Sequence, residues 1–251
     1  MSGILFWAST LSLVLGAVVS VFRRKRSSAQ LAFVLGAVGG AFAITTGLLA
    51  IFGHGFGAVF TLGYGLGLAT VSLGGFSGLF VLTAGFVLLP TSIYALGYEV
   101  EGPRWAYAAL YDLLMMAALL LFVSDHEFLF LFFWELAAIL FYGLVAFEDG
   151  REGRVDAGYL YSAASKLGTA LIFAAFFLAF VKSGTFAFSG IEGAYISPPY
   201  SNAIFLLSFI GFGLKAGVVP LQVWLPDAHS KSPKPVSALL AGVILTFGFY
   251  G

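Results

Sequence analysis

Residues 201–223 read SNAIFLLSFIGFGLKAGVVPLQV, an apolar run long enough to cross a bilayer in which Lys215 is the one charged residue. An ammonium at the centre of a membrane helix costs at least ~2.5 to 3.5 kcal/mol, so a retained lysine marks a functional site. Proline removes a backbone donor and breaks helices, and broken membrane helices occur where freed carbonyls line a cavity or ion path. Pro220, five residues beyond the lysine, therefore predicts a discontinuity in this span.

The rest of the chain agrees with a membrane setting. Of 251 residues, 60% are hydrophobic and 10% charged, against roughly 25% charged in a soluble domain. Mean hydropathy is +1.00. Twelve basic and twelve acidic residues leave no basic surface for nucleic acid, and the hydropathy excludes a soluble enzyme. With no cysteine there is no disulfide, no iron–sulfur ligation and no thiolate nucleophile. No metal site or phosphate-cradling GxxxxGK loop is present either, so no cofactor is expected.

Dividing the chain by the ~20 residues a helix needs to cross the hydrocarbon gives seven spans, 4–22, 29–52, 76–97, 105–124, 127–147, 157–181 and 201–223, with an eighth beginning near Pro235. The first run is followed by its basic cluster rather than preceded by it, which reads as a retained helix rather than a signal peptide. The stretch 53–75 carries eight glycines among alternating β-branched and aromatic residues, the pattern of short strands or a hairpin at the surface. Alternate loops hold Arg23, Arg24, Lys25, Arg26, Arg104, Arg151, Arg154, Lys231 and Lys234 on one side and only Lys182 on the other. By the positive-inside rule the basic loops are cytoplasmic and the amino terminus is extracytoplasmic.

Two lysines remain inside spans, Lys166 and Lys215, with three acidic residues at or near membrane depth: Asp112, Glu135 and, just past the seventh span, Asp227. The least costly remedy for a buried charge is a partner across a helix interface. Glu135 and Lys215 are expected to face each other or to share a water-filled cavity. In that arrangement moving the carboxylate away from the lysine favours proton release, the requirement for a switchable proton site. Lys166 is set against a structural pairing with Asp112, and Asp112 against a plain helix-packing contact. His229, beside Asp227, is set against a turn partner.

The run GLKAGVVPLQVWLPDAHSKSPKPVSALLAG at residues 213–242 closely resembles the signature of the antiporter-like subunits of respiratory complex I, membrane-bound hydrogenases, formate hydrogenlyases and multisubunit sodium/proton antiporters. FWELAAILFYGLVAFE at 133–148 resembles the fifth-helix motif of that family. YLYSAASKLGTALIFAAFFLAF at 159–180, with SGTFAFSGI after it, is most similar to the hydrogenase and formate hydrogenlyase branch. The resemblance implies an all-α integral membrane protein of seven to eight helices with a discontinuous seventh, equivalent to the first repeat of a fourteen-helix subunit. Residues 1–104 would form the first three helices with the glycine-rich extracytoplasmic loop, and 105–251 the proton-translocation repeat. It implies further that Glu135 tunes Lys215, that Lys215 carries the translocated proton, that Lys166 joins the same polar axis, and that His229 in PDAH serves proton uptake.

The function so implied is proton translocation in a plasma-membrane redox complex. Its partners would be other membrane subunits, peripheral subunits carrying iron–sulfur or metal centres, lipid, and a second half of this subunit supplied by a longer chain or another polypeptide. A sodium/proton antiporter subunit is one alternative, and a structural subunit that has lost transport another. The eighth span departs from the family: AGVILTFG has Thr246 where many members carry a lysine, and Ala241 where others carry a histidine.

Overall fold

The computed structural model describes residues 1–61, 68–147 and 154–251. Helices dominate, in the order α1 (Ser2–Arg23), α2 (Arg26–Ile51), α3 (Gly75–Gly97), α4 (Arg104–Leu121), α5 (Glu127–Val145), α6 (Arg154–Ser183), the short α7 (Phe188–Glu192), α8 (Pro198–Ala216), α9 (Leu225–Lys231), α10 (Lys234–Leu239) and α11 (Leu245–Tyr250). Among the described residues, α1 to α6 are long and apolar enough to cross a membrane, and all but the enclosed α4 expose large apolar side chains. The chain is thus a multi-pass membrane protein. The seventh span is less uniformly apolar, because α8 begins with Pro198, Pro199 and Tyr200 and stops at Ala216.

Helix neighbours follow from small residues. Neighbouring helices α1 and α2, α2 and α3, α1 and α4, and α4 and α5 pack on one another, with α4 the most enclosed of the six long helices. At the α2–α3 contact a methyl group on Gly47 would lie 2.6 Å from Leu82 N. Where hydrocarbon offers no hydrophobic drive for helices to associate, this close backbone approach supplies the dispersion contacts that hold them together.

The hairpin is present. Strands β1 (Phe56–Thr61) and β2 (Leu68–Leu73) pair antiparallel from Phe56↔Leu73 to Thr61↔Leu68. The loop after α4 caps its edge, with Ser72 N donating to Val123 O at 2.7 Å and Asp125 N to Thr70 O at 3.0 Å. The LGYGLG segment at 62–67 and Arg151 lie outside the described residues. At the opposite end of the helices, Glu99 bridges Arg26 and Arg104, and the Arg24 guanidinium lies 5.0 Å from the Trp105 ring. Basic residues of the first two basic loops therefore share one end of the bundle, as the loop alternation predicts.

The seventh span is interrupted as expected. Helix α8 closes on Gly217 in the left-handed region, φ 67°, a conformation that costs glycine little. A 3-10 turn, Gln222–Trp224, then leads into α9, and Pro220 lies between the two helical halves. One carbonyl freed by the break, Leu214 O, accepts a 2.7 Å bond from Trp224 Nε1, so the tryptophan holds the halves together. The eighth span, Lys234–Tyr250, is helical throughout with a π turn at Leu240–Ile244. Such turns insert one residue into the α-helical ladder.

Candidate functional site

Helices α6 and α8 meet where a methyl group on Gly168 would lie 2.9 Å from Gly211 O. That crossing places the next turn of α6, with Ser165, beside the next turn of α8, with Lys215. Lys215 is 2% exposed. Its Nζ donates to Tyr161 Oη at 2.8 Å and to Ser165 Oγ at 3.1 Å. The same nitrogen lies 4.9 Å from the Tyr161 ring centroid and 5.2 Å from that of Trp134 on α5. Trp224 stacks edge-on against Tyr161, 5.1 Å between centroids, and closes the box from the broken side of the seventh span.

Glu135 does not pair with Lys215. Its carboxylate takes an ion pair from Lys166 and a hydrogen bond from Thr169 Oγ1. Thr169 in turn accepts from Trp134 Nε1 at 2.9 Å. The periodicity of α6 explains the division: Tyr161, Ser165 and Thr169 recur every four residues on one face, whereas Lys166 is turned about 100° from Ser165. Lys166 therefore points outward, its side chain 52% exposed, with Glu135 half-buried beside it. The two charged sets are connected rather than fused. Trp134 touches Lys215 with its ring and Thr169 with its N–H, and Thr169 reaches Glu135. A small cavity of about 50 Å³, mostly apolar in its lining, has Tyr161, Ser165 and Lys166 in its wall.

The remaining expected residues lie elsewhere. On α9, His229 Nδ1 contacts Ser237 Oγ of α10, three residues before the π turn, and Asp227 pairs with Lys231 at 3.2 Å. Thr246 Oγ1 donates to Val243 O of its own helix at 2.7 Å. Asp112 is enclosed among α1 to α4, and no ion pair among the described residues joins it to Lys166. Tyr161, Ser165, Thr169, Trp134 and Trp224 were not singled out from the sequence. The recurrence of polar residues at 161, 165 and 169 in an otherwise apolar span was the available signal.

Comparison with known proteins places this geometry in a family. Residues 124–251, just over half of the chain, match the transmembrane family described as NADH:quinone oxidoreductase/Mrp antiporter. Hydrogenase-4 component B of Escherichia coli is 34% identical over 185 residues, covering 72% of this chain and 27% of that protein. NAD(P)H-quinone oxidoreductase chain 4 2 of Microcystis aeruginosa is 35% identical over 185 residues, covering 72% of this chain and 33% of its own. The chain thus spans a third or less of the length of these relatives. The fold matches a chain of the Mrp complex from Dietzia sp. DQ12-45-1b, TM-score 0.84 at 20% identity, over 99% of this chain and 47% of that one. It also matches a chain of an archaeal membrane-bound sulfane sulfur reductase, TM-score 0.79 at 19% identity, over 99% of this chain and 51% of the other. With its helical bundle, its interrupted seventh span and the matched segment that contains both, the chain belongs to the NADH:quinone oxidoreductase/Mrp antiporter family of antiporter-like membrane subunits.

Proposed function

We propose that this chain is a proton-translocating subunit of a multisubunit membrane redox complex and that Lys215 carries the proton. The observation that supports this most directly is the setting of Lys215: a buried lysine held by two hydroxyls and two ring faces, with no carboxylate in ion-pair range among the described residues. Burying an ion costs several kcal/mol. Charge-assisted hydrogen bonds return ~1.5 to 3 kcal/mol each and desolvated cation–π contacts ~0.5 to 2 kcal/mol each. The opposing contributions are of similar size, so modest changes in the surrounding field can load or unload the amine.

Glu135 and Lys166 supply that field. One carries negative and the other positive charge, so by Coulomb's law they act on the Lys215 ammonium in opposite senses. While they are paired with each other their effects largely cancel, and separating them shifts the balance at Lys215. Thr169 and Trp134 are the physical links between the pair and the lysine. His229, exposed on α9 and in contact with Ser237 of α10, would exchange protons with the side bearing the basic loops, which the positive-inside rule makes cytoplasmic in the plasma membrane. The chain bears no redox centre in this reading, and electron transfer belongs to partner subunits.

The Glu135–Lys166 pair also speaks for a neighbouring membrane chain. It lies on a face that otherwise presents Phe132, Ile139 and Leu167. Charges facing lipid are costly, whereas the same pair packed against protein can be satisfied. A further membrane subunit, or a second half of this one, fits that face.

A structural, non-pumping subunit is the second reading, and Thr246 favours it, because its hydroxyl is spent on its own helix and offers no basic relay. The two are separated by replacing Lys215 with alanine in the intact complex and measuring proton pumping beside electron-transfer rate. Loss of pumping supports transport; unchanged pumping removes it and leaves the structural reading.

A further inference from the structure

Asp112 lies outside the Lys215 axis and is used by nothing described above. Its side chain is fully enclosed where α4 meets α1, α2 and α3. A methyl group on Gly16 of α1 would collide with its Oδ2, and one on Gly36 of α2 would lie 3.0 Å from Oδ1 and 2.9 Å from Ser92 Oγ of α3. Among the described residues, neither carboxyl oxygen has a hydrogen-bond partner and no ion pair includes it.

The surrounding elements offer no counter-charge at this depth. Helix α1 carries only Arg23, in its last turn, and α2 only Arg26, at its start. On α3 the one titratable group is Tyr94, which is exposed. On α4 itself, Arg104 is bonded to Glu99 and to the carbonyls of Ala95 and Leu96, and Tyr111 to Thr91 and Ser92; Tyr107 is the remaining titratable group. Helix α5, also packed on α4, adds Glu127, Glu135 and Tyr142 and no cation. An ionised carboxyl here would have neither counter-charge nor hydrogen bond to offset its desolvation, whereas the neutral acid brings no net charge into the hydrocarbon.

We propose that Asp112 is a second proton-binding site, separate from the Lys215 axis, in which a proton-bearing carboxyl seals α4 against Gly16, Gly36 and Ser92, and whose deprotonation parts α4 from α1 and α2. The sign follows from burial. The contact is stabilising while the carboxyl is protonated and is lost as pH rises through the point at which the folded protein releases that proton.

The test uses the intact complex in lipid membranes. The infrared difference between wild type and Asp112→Asn at neutral pH is expected to contain the C=O band of a protonated carboxyl, unchanged when sodium replaces choline in the medium. Carboxylate bands in its place, or a band abolished by sodium, overturn the proposal. If Asp112→Asn does not fold, Asp112→Glu keeps the carboxyl and should shift the same band; an unmoved band overturns the assignment. Amide hydrogen exchange of α1 and α4 should rise several-fold more in wild type than in Asp112→Asn as pH is raised from neutral to alkaline. An equal rise in both removes the link between the proton and the packing.

Discussion

Two buried charge-bearing side chains, Lys215 and Asp112, are housed in opposite ways. Lys215 stands between α5, α6 and α8 in a box of two hydroxyls and two ring faces, at the end of a broken helix and beside a small cavity. Asp112 stands among α1 to α4 against glycine backbone, with no hydrogen-bond partner and no ion pair among the described residues. On the readings proposed above, the first environment serves a charged and an uncharged form at similar cost, and the second favours the uncharged one. Membrane depth and burial are shared, so the difference between the two sites lies in their lining: hydroxyls and ring faces at Lys215, glycine backbone at Asp112.

The comparison breaks first at Lys215. Replacement by arginine preserves the charge but removes the ability to give up a proton. Proton pumping should fall more than ~100-fold, equivalent to ~2.7 kcal/mol, when followed by pH-sensitive dye quenching in vesicles with electron transfer running; a variant that still pumps would reduce the site to an ion anchor. On the other side, Gly16→Ala forces a methyl group onto the Asp112 carboxyl and should cost ~1 to 3 kcal/mol of stability, read as a lower unfolding temperature of the purified complex with little change in pumping per folded molecule. A Gly16→Ala variant of unchanged stability would show that the cradle is loose enough to admit other occupants.

Smaller effects sharpen the Lys215 side. Glu135→Gln leaves Lys166 without its ion pair and unbalances the field on Lys215, so pumping should fall about tenfold, ~1.4 kcal/mol, in the vesicle assay. Tyr161→Phe removes one hydroxyl acceptor yet keeps the ring face and Ser165. A charge-assisted bond is lost, and a loss of a few-fold in pumping, ~1 kcal/mol, is expected from initial rates. Thr246→Val comes last: the hydroxyl is satisfied within its own helix, so the rate should stay within about twofold, or ~0.4 kcal/mol. A large loss at Thr246 would place the eighth helix in the path.

Lys215, Glu135 and the break near Pro220 were legible in the sequence because each violates what a membrane helix tolerates. The hairpin was legible for the opposite reason, since alternation and glycine spacing fit strands and fit helices poorly. Tyr161, Ser165, Thr169 and Trp134 carried no such penalty. A hydroxyl or indole in a membrane span is unremarkable until a charge is found against it. The π turn at Leu240–Ile244 was hidden too, because no proline or glycine pair marks it as proline marks the seventh span. Glu135 and Lys215 were expected to face each other or to share a water-filled cavity; they form no direct pair, because Glu135 is engaged by Lys166 and Thr169.

The sequence by itself determined the solvent, the spans, the interrupted helix and the residues whose charge has to be reconciled with lipid. These follow from local composition and hydropathy. Which oxygen meets which nitrogen was decided only by tertiary structure. A helix of known sequence can rotate about its own axis at little local cost, and the rotation is set by distant small-residue contacts such as Gly168 against Gly211 and Gly16 against Asp112. Those contacts turn Ser165 toward Lys215 and Lys166 away from it, and leave Asp112 facing glycine.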